Sequence, residues 1–371
     1  MGTKKITLIF FMIVPMFFSL KAISAEDTDA RAGNRSTHSQ EYEEQVLGRV
    51  RWMTSLEEAQ VLADAEDMPI LILHQNVSDN GRSLEYGTTV LDHPLVVEAI
   101  ESLFIPVAFF QGGSGMDETY ADLLGDPAPS ALEVRITDSD FNDVAPRLGE
   151  SHTIHELLGA MIEAYGWRGK DVPEYVKILH TETVNTDALE TAIFPVHCFW
   201  AGEVELGPSE GIVQTVPGRI DKQETVEVVF DRSVTSYEGL LEEALDVGLC
   251  ENAYSLNDEQ YRVASELVGT GKVKRAGKMF PDNKPKYYLS KSAYRHVPMT
   301  ERQSIMVNAD LFYERDPRNR LSPRQVQMHE FIERNKRRYW KNQIGATDLT
   351  ENWVKLTDRI RRMSGGKVSI H

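Results

Sequence analysis

The sequence predicts an α/β protein: a layered α/β unit, then a smaller α+β unit, then a basic, mainly helical extension. Two alternations and one charge asymmetry predict it. Short apolar runs alternate with helical patterns over residues 69–165, and the order β-α-β-β-α follows over 192–247. Residues 269–371 carry 23 Lys and Arg against 10 Asp and Glu, in a chain of 371 residues whose net charge is −17. Such asymmetry marks either a tail for an anionic partner or a basic part that packs on an acidic one, and the second reading is the simpler expectation.

In chain order, Lys4 and Lys5 precede an apolar run over 6–20, and small residues at 22–25 offer a cleavage position. This is the pattern of a secretory signal (residues 1–25), too short for a spanning helix. The expectation is an exported chain, periplasmic or secreted, with no stable membrane span once the signal is removed. Residues 26–44 are polar and read as a flexible leader.

The first unit, 45–170, opens with a helix over 55–67 capped by Ser55, with Leu56, Ala59, Leu62 and Ala63 on one face. Strands are expected over 69–75, 104–110 and 132–137, and helices over 95–103 and 153–165, the last striped by Ile154, Leu157, Leu158, Met161 and Ile162. A parallel strand pair follows from strand–helix–strand order with short turns. Gly112-Gly-Ser-Gly115 lacks a following Lys-Ser/Thr and reads as a turn, not a phosphate loop. The pattern weakens over 170–190, where a boundary is placed.

The second unit, 190–268, holds both cysteines of the chain, Cys198 and Cys250. Strands are expected over 192–196, 212–217 and 225–231, and helices over 199–206 and 237–247, the latter stopped by Gly248. Cys198 lies where a strand ends and a helix begins, and the helix dipole there favours a thiolate. In an exported chain the two cysteines also permit a structural disulfide, Cys198–Cys250. Both readings stand at this point. The histidines show no metal-ligand spacing, and no metal or cofactor is expected.

The extension, 269–371, is expected to contain helices over 300–311, from 322, and over 350–363, with caps at Thr300 and Ser322-Pro323 and a stop at Gly365-Gly366. Lys336-Arg-Arg338 beside Tyr339 and Trp340 has the composition of a nucleic-acid contact. Export and the acidic remainder argue against a nucleic-acid partner.

Two resemblances sharpen the picture. The first unit resembles a thioredoxin-like domain. Its stretch Gly87-Thr-Thr-Val-Leu-Asp-His-Pro-Leu-Val-Val-Glu-Ala-Ile-Glu-Ser-Leu-Phe-Ile-Pro-Val107 is similar to a bacterial thioredoxin-like (seleno)protein family named for a Val-Pro-Gly-selenocysteine-x-x-Thr signature. Residues 287–325 resemble the C-terminal extension of the same family. The redox position would fall in Val77-Ser-Asp-Asn-Gly-Arg-Ser-Leu84, which has no cysteine, so this unit is expected to be redox-inert.

The second resemblance is to peptide methionine sulfoxide reductase of the A type. It rests on Cys198-Phe-Trp-Ala-Gly-Glu203, Gly211-Ile-Val-Gln-Thr-Val-Pro-Gly218 and Glu224-Thr-Val-Glu-Val-Val-Phe-Asp231. It implies Cys198 as nucleophile, Glu224 as acid, Phe199 and Trp200 as the methyl pocket, Glu203 in support, and Tyr261 of Asn257-Asp-Glu-Gln-Tyr-Arg262 as a donor. Cys250 would resolve the sulfenic acid. An external dithiol such as a thioredoxin-like protein would supply electrons, and methionine sulfoxide, free or in an oxidised protein, would be the substrate. The chain departs from the pattern at His197, where the family has Gly, at 219–223, which lacks the family's Tyr, and at Leu256, where the family has Asp. The competing expectation is a non-catalytic interaction module held by the Cys198–Cys250 disulfide.

Overall fold

The computed structural model describes residues 45–75, 81–110, 116–125, 129, 131–149, 152–368 and 370. The signal, the leader, residues 77–80 of the redox position and the 112–115 turn lie outside them. The chain is a mixed α/β protein.

In the first unit the order is α1 (Leu56–Glu66), β1 (Ile70–Gln75), α2 (Arg82–Thr89), α3 (Pro94–Leu103), β2 (Ile105–Phe110), α4 (Met116–Leu124), β3 (Glu133–Thr137) and α5 (Ile154–Trp167). Its sheet has the order β2-β1-β3, with β1 parallel to β2 and antiparallel to β3. All six residues of β1 are buried, as a strand covered on both faces must be. Ser55 caps α1 by accepting from the Glu58 N–H, and Thr153 and Glu156 close a capping box on α5. Leu62 corrects the expected stripe: it is 41 % exposed, and only Leu56, Ala59 and Ala63 of α1 are buried. Residues 170–190 are structured as α6 (Glu174–Glu182), whose Tyr175, Val176 and Leu179 join the first core. Its alternating polar residues concealed it.

The second unit runs β4 (Leu189–Pro195), α7 (Phe199–Leu206), β5 (Ile212–Ile220), β6 (Gln223–Asp231), α8 (Tyr237–Asp246), β7 (Ala253–Ser255), α9 (Asp258–Val268), β8 (Val273–Arg275) and β9 (Phe280–Pro281). An antiparallel sheet of order β4-β6-β5-β9 carries α7 and α8, and β7 pairs with β8 in parallel. Gly248 ends the α8 segment at φ +70°, the left-handed conformation that glycine adopts without strain.

The extension forms α10 (Tyr287–Ser290), α11 (Glu301–Phe312), α12 (Pro323–Arg334) and α13 (Leu349–Met363), with the expected caps at Thr300 and Ser322. It packs on the acidic units. Met328, Phe331, Ile332, Trp340, Trp353, Leu356 and Ile360 share one core with the first unit, and Trp340 is therefore interior rather than a stacking platform. Glu98 accepts from the Arg324 N–H at 2.8 Å, Arg320 pairs with Glu174 at 3.1 Å, and both oxygens of Glu182 accept from the first N–H groups of α11 at 3.1 Å. The apolar burial supplies most of the docking energy, since partly exposed ion pairs contribute only about 0–1 kcal/mol each. The carboxylates fix the register.

Candidate active site

Cys198 is the N-cap of α7, with extended backbone (φ −145°, ψ 121°) and no side-chain capping bond, so its thiol is not consumed in closing the helix. The helix lies close on the sheet because Gly202 faces it; a Cβ there would meet Val226 Cγ2 at 2.7 Å. Beneath Cys198, the Val196 N–H donates to the Glu224 carbonyl at 2.9 Å, which ties the end of β4 to the start of β6.

That tie brings Glu224 to the cysteine. The Phe199 N–H, first of the helix, donates to Glu224 Oε2 at 3.0 Å, and Arg219 Nη2 donates to Glu224 Oε1 at 2.6 Å. Both partners are donors, so each Glu224 oxygen acts as an acceptor here. Arg219 also lies over the Phe199 ring, 5.3 Å from its centroid. Phe199 is buried, and Trp200 stacks on Tyr287 at 3.8 Å. The Trp200 indole N–H is buried without a partner.

Tyr287 and Tyr288 come from the extension, at the start of α10. Burial first, and then the Cys198 charge, push the Tyr288 phenol up from its ordinary value. The Tyr288 phenol therefore lies within electrostatic reach of Cys198.

A buried ion cluster holds these tyrosines. Lys286, 2 % exposed, donates its Nζ to Glu203 Oε1 at 3.0 Å, to Thr215 O at 2.9 Å and to Thr215 Oγ1 at 3.0 Å, and pairs with Glu301 at 3.0 Å. Its backbone N–H donates to Glu203 Oε2 at 3.1 Å. Burial opposes the ammonium, but Glu203 and Glu301 outweigh it and raise the Lys286 pKa. Asn308 Oδ1 then accepts from the Tyr288 and Leu289 N–H groups at 3.0 and 3.1 Å. Glu203 therefore supports the site by anchoring the extension rather than by touching the thiol's surroundings directly.

Cys250 is buried and stands one residue beyond Leu249, whose carbonyl accepts from the His197 N–H at 3.3 Å. The two cysteines thus follow a hydrogen-bonded pair of residues, and both are free thiols in this structure. His197, in the place of the family's Gly, is exposed and does not crowd the core.

Tyr261 is the site residue that the fold does not bring in. Its neighbour Gln260 donates to Glu190 Oε1 and Thr191 O at 2.8 Å, at the start of β4, whereas Cys198 follows the end of that strand. About 20 Å of strand separates the two ends. Tyr261 instead packs on the second core beneath Arg275, at 5.2 Å. Conversely, Arg219, Lys286, Tyr287 and Tyr288 were not singled out by the sequence. The resemblance over 287–325 pointed at the right segment, but nothing local to it says that it reaches Cys198.

Burial pushes the Cys250 thiol up to about 11 from an ordinary value of 9.0. The folded state favours the neutral thiol, so that contribution to stability is complete below pH 9.0 and is lost as pH rises through about 11. Denaturant midpoints should fall over that window and do so less in Cys250→Ala; equal slopes in the two proteins would contradict the burial effect.

No protein-family model matches the chain, and no curated protein matches it.

Proposed function

We propose that the protein is an exported thiol reductase of methionine sulfoxide, with a thioredoxin-like first unit, a reductase-like second unit of the A type and an extension that completes the site. The juxtaposition of Cys198 at the α7 N-terminus, Glu224 at the Phe199 N–H and an aromatic wall of Phe199, Trp200, Tyr287 and Tyr288 carries the reading. The β2-β1-β3 order, with one parallel and one antiparallel pair, supports the thioredoxin-like reading of the first unit. That unit has no cysteine, so it carries no thiol chemistry of its own.

Glu224 takes the proton of the Cys198 thiol, and the thiolate attacks the sulfoxide sulfur. Glu224 returns the proton to the sulfoxide oxygen while the Tyr288 hydroxyl donates to it. The bond thus formed between the Cys198 sulfur and the substrate sulfur breaks as the hydroxyl passes to Cys198, so that the substrate's S–O bond is exchanged for an S–O bond to Cys198, leaving a thioether and a Cys198 sulfenic acid. Cys250 attacks that sulfur, water departs, and the resulting disulfide is reduced by an external dithiol. The raised pKa of Cys250 slows its attack near neutral pH and makes it faster as pH rises.

The test is consumption of free and peptide-bound methionine sulfoxide by the mature chain with dithiothreitol. Turnover in wild type, reduced about 10–100-fold in kcat by Tyr288→Phe, is the expected result. Absence of any turnover in wild type overturns the reading.

A further inference from the structure

Three cations are each seated on an aromatic ring of the site or its border. Arg219 lies over Phe199 at 5.3 Å, Lys291 over Tyr287 at 5.0 Å, and Lys278 over Phe280 at 5.2 Å. Their placement follows from register. Arg219 stands directly opposite Glu224 on β6 and opposite Phe280 on β9, and directly opposed residues of antiparallel strands share a face. Phe280, Arg219 and Glu224 therefore form one row across three strands, beside the cysteine. The Trp200–Tyr287 stack, with Lys291 on its outer ring, forms the other side.

Lys278 and Lys291 belong to the basic extension and Arg219 to the acidic second unit, in a chain of net charge −17. Glu224 is already taken by Arg219, and Asp221, Glu251 and Asp282 lie in the flanking segments. Phe280 is 60 % exposed in this basic border, an apolar platform with Lys278 over its ring. A ring of cations around an apolar platform and a thiol complements a segment that is acidic and carries an apolar side chain.

We propose that the site takes its sulfoxide within an acidic peptide segment, with Lys278 and Lys291 reading carboxylates on either side of the oxidised methionine and Phe280 packing an apolar neighbour. This specificity rests on the reductase reading, but its recognition step is separable from the chemistry. The rim cations attract the segment and set its direction, while Cys198 acts only on the methionine between them.

The experiment uses two short methionine sulfoxide peptides, one flanked by glutamates and one by lysines, with the mature chain. Binding is read from tryptophan fluorescence on Cys198→Ser, and turnover is read on wild type with dithiothreitol. The glutamate peptide should bind about tenfold more tightly than the lysine peptide, with the difference collapsing at high salt. Lys278→Glu combined with Lys291→Glu should erase or reverse the preference, and circular dichroism identical to wild type establishes that this variant is folded. Equal binding of the two peptides, or a lysine preference in wild type, overturns the recognition proposal whether or not turnover occurs. Glutamate-selective binding without turnover upholds it and overturns the reductase reading instead.

Discussion

Lys286→Met should destabilise the protein by about 3–5 kcal/mol, measured as a shift in urea unfolding. The substitution conserves much of the side-chain volume but leaves Glu203, 1 % exposed, and Glu301 without the ammonium that both face. Thr215 also loses a donor to its carbonyl and hydroxyl oxygens. An uncompensated buried charge costs far more than the lost attraction, because the carboxylate must be desolvated or protonated. Adding Glu203→Gln to Lys286→Met should recover part of the loss, since a neutral amide tolerates that environment better. A change below about 1 kcal/mol for the single variant would show that the cluster is hydrated and weak. The same variant frees the start of α10, so Tyr287 should lose its stack on Trp200 at 3.8 Å, a change visible in tryptophan emission.

Cys198→Ser should reduce sulfoxide-dependent turnover to background, because a serine hydroxyl supplies neither the nucleophile nor the two electrons that a thiol gives up. Glu224→Gln should lower kcat about 10²–10³-fold while leaving the fold intact. The amide still accepts from the Phe199 N–H through its oxygen, as the carboxylate does at 3.0 Å, but it cannot shuttle the thiol proton and it releases Arg219. The two variants separate the roles by alkylation. Iodoacetamide should still label Cys198 in Glu224→Gln, with a pH dependence shifted from wild type. An unchanged kcat in Glu224→Gln would remove Glu224 from the mechanism and leave proton transfer to Tyr288 or solvent.

Much of the scaffold was legible because it is local. The α7 helix over Phe199–Leu206, the caps Ser55, Thr300 and Ser322, and strands β1 to β6 follow from side-chain periodicity and from donors that a helix start leaves open. Leu62 was misread because a helix stripe has an edge, and only packing against β1 and β2 decides which residues at that edge are covered. The helix α6 was missed because Glu174, Lys177 and His180 interrupt its apolar face, which the extension then covers in part through Arg320 and α11.

The sequence by itself determined the α/β class and the placement of Cys198 at a helix start, and it named Glu224 by a family motif, whose place beside the helix start came from the pairing of β4 with β6. These depend on interactions within about 30 residues, where turn chemistry and alternation leave few arrangements. Only the tertiary structure decided which aromatics surround the thiol. Tyr261, chosen by motif, lies at the far end of β4, and Tyr287 and Tyr288, about 90 residues beyond Cys198, take the near side. The physical reason is Lys286: an ammonium that cannot stay buried alone must find Glu203, Glu301 and Thr215, and in finding them it carries its two neighbouring tyrosines to the cysteine.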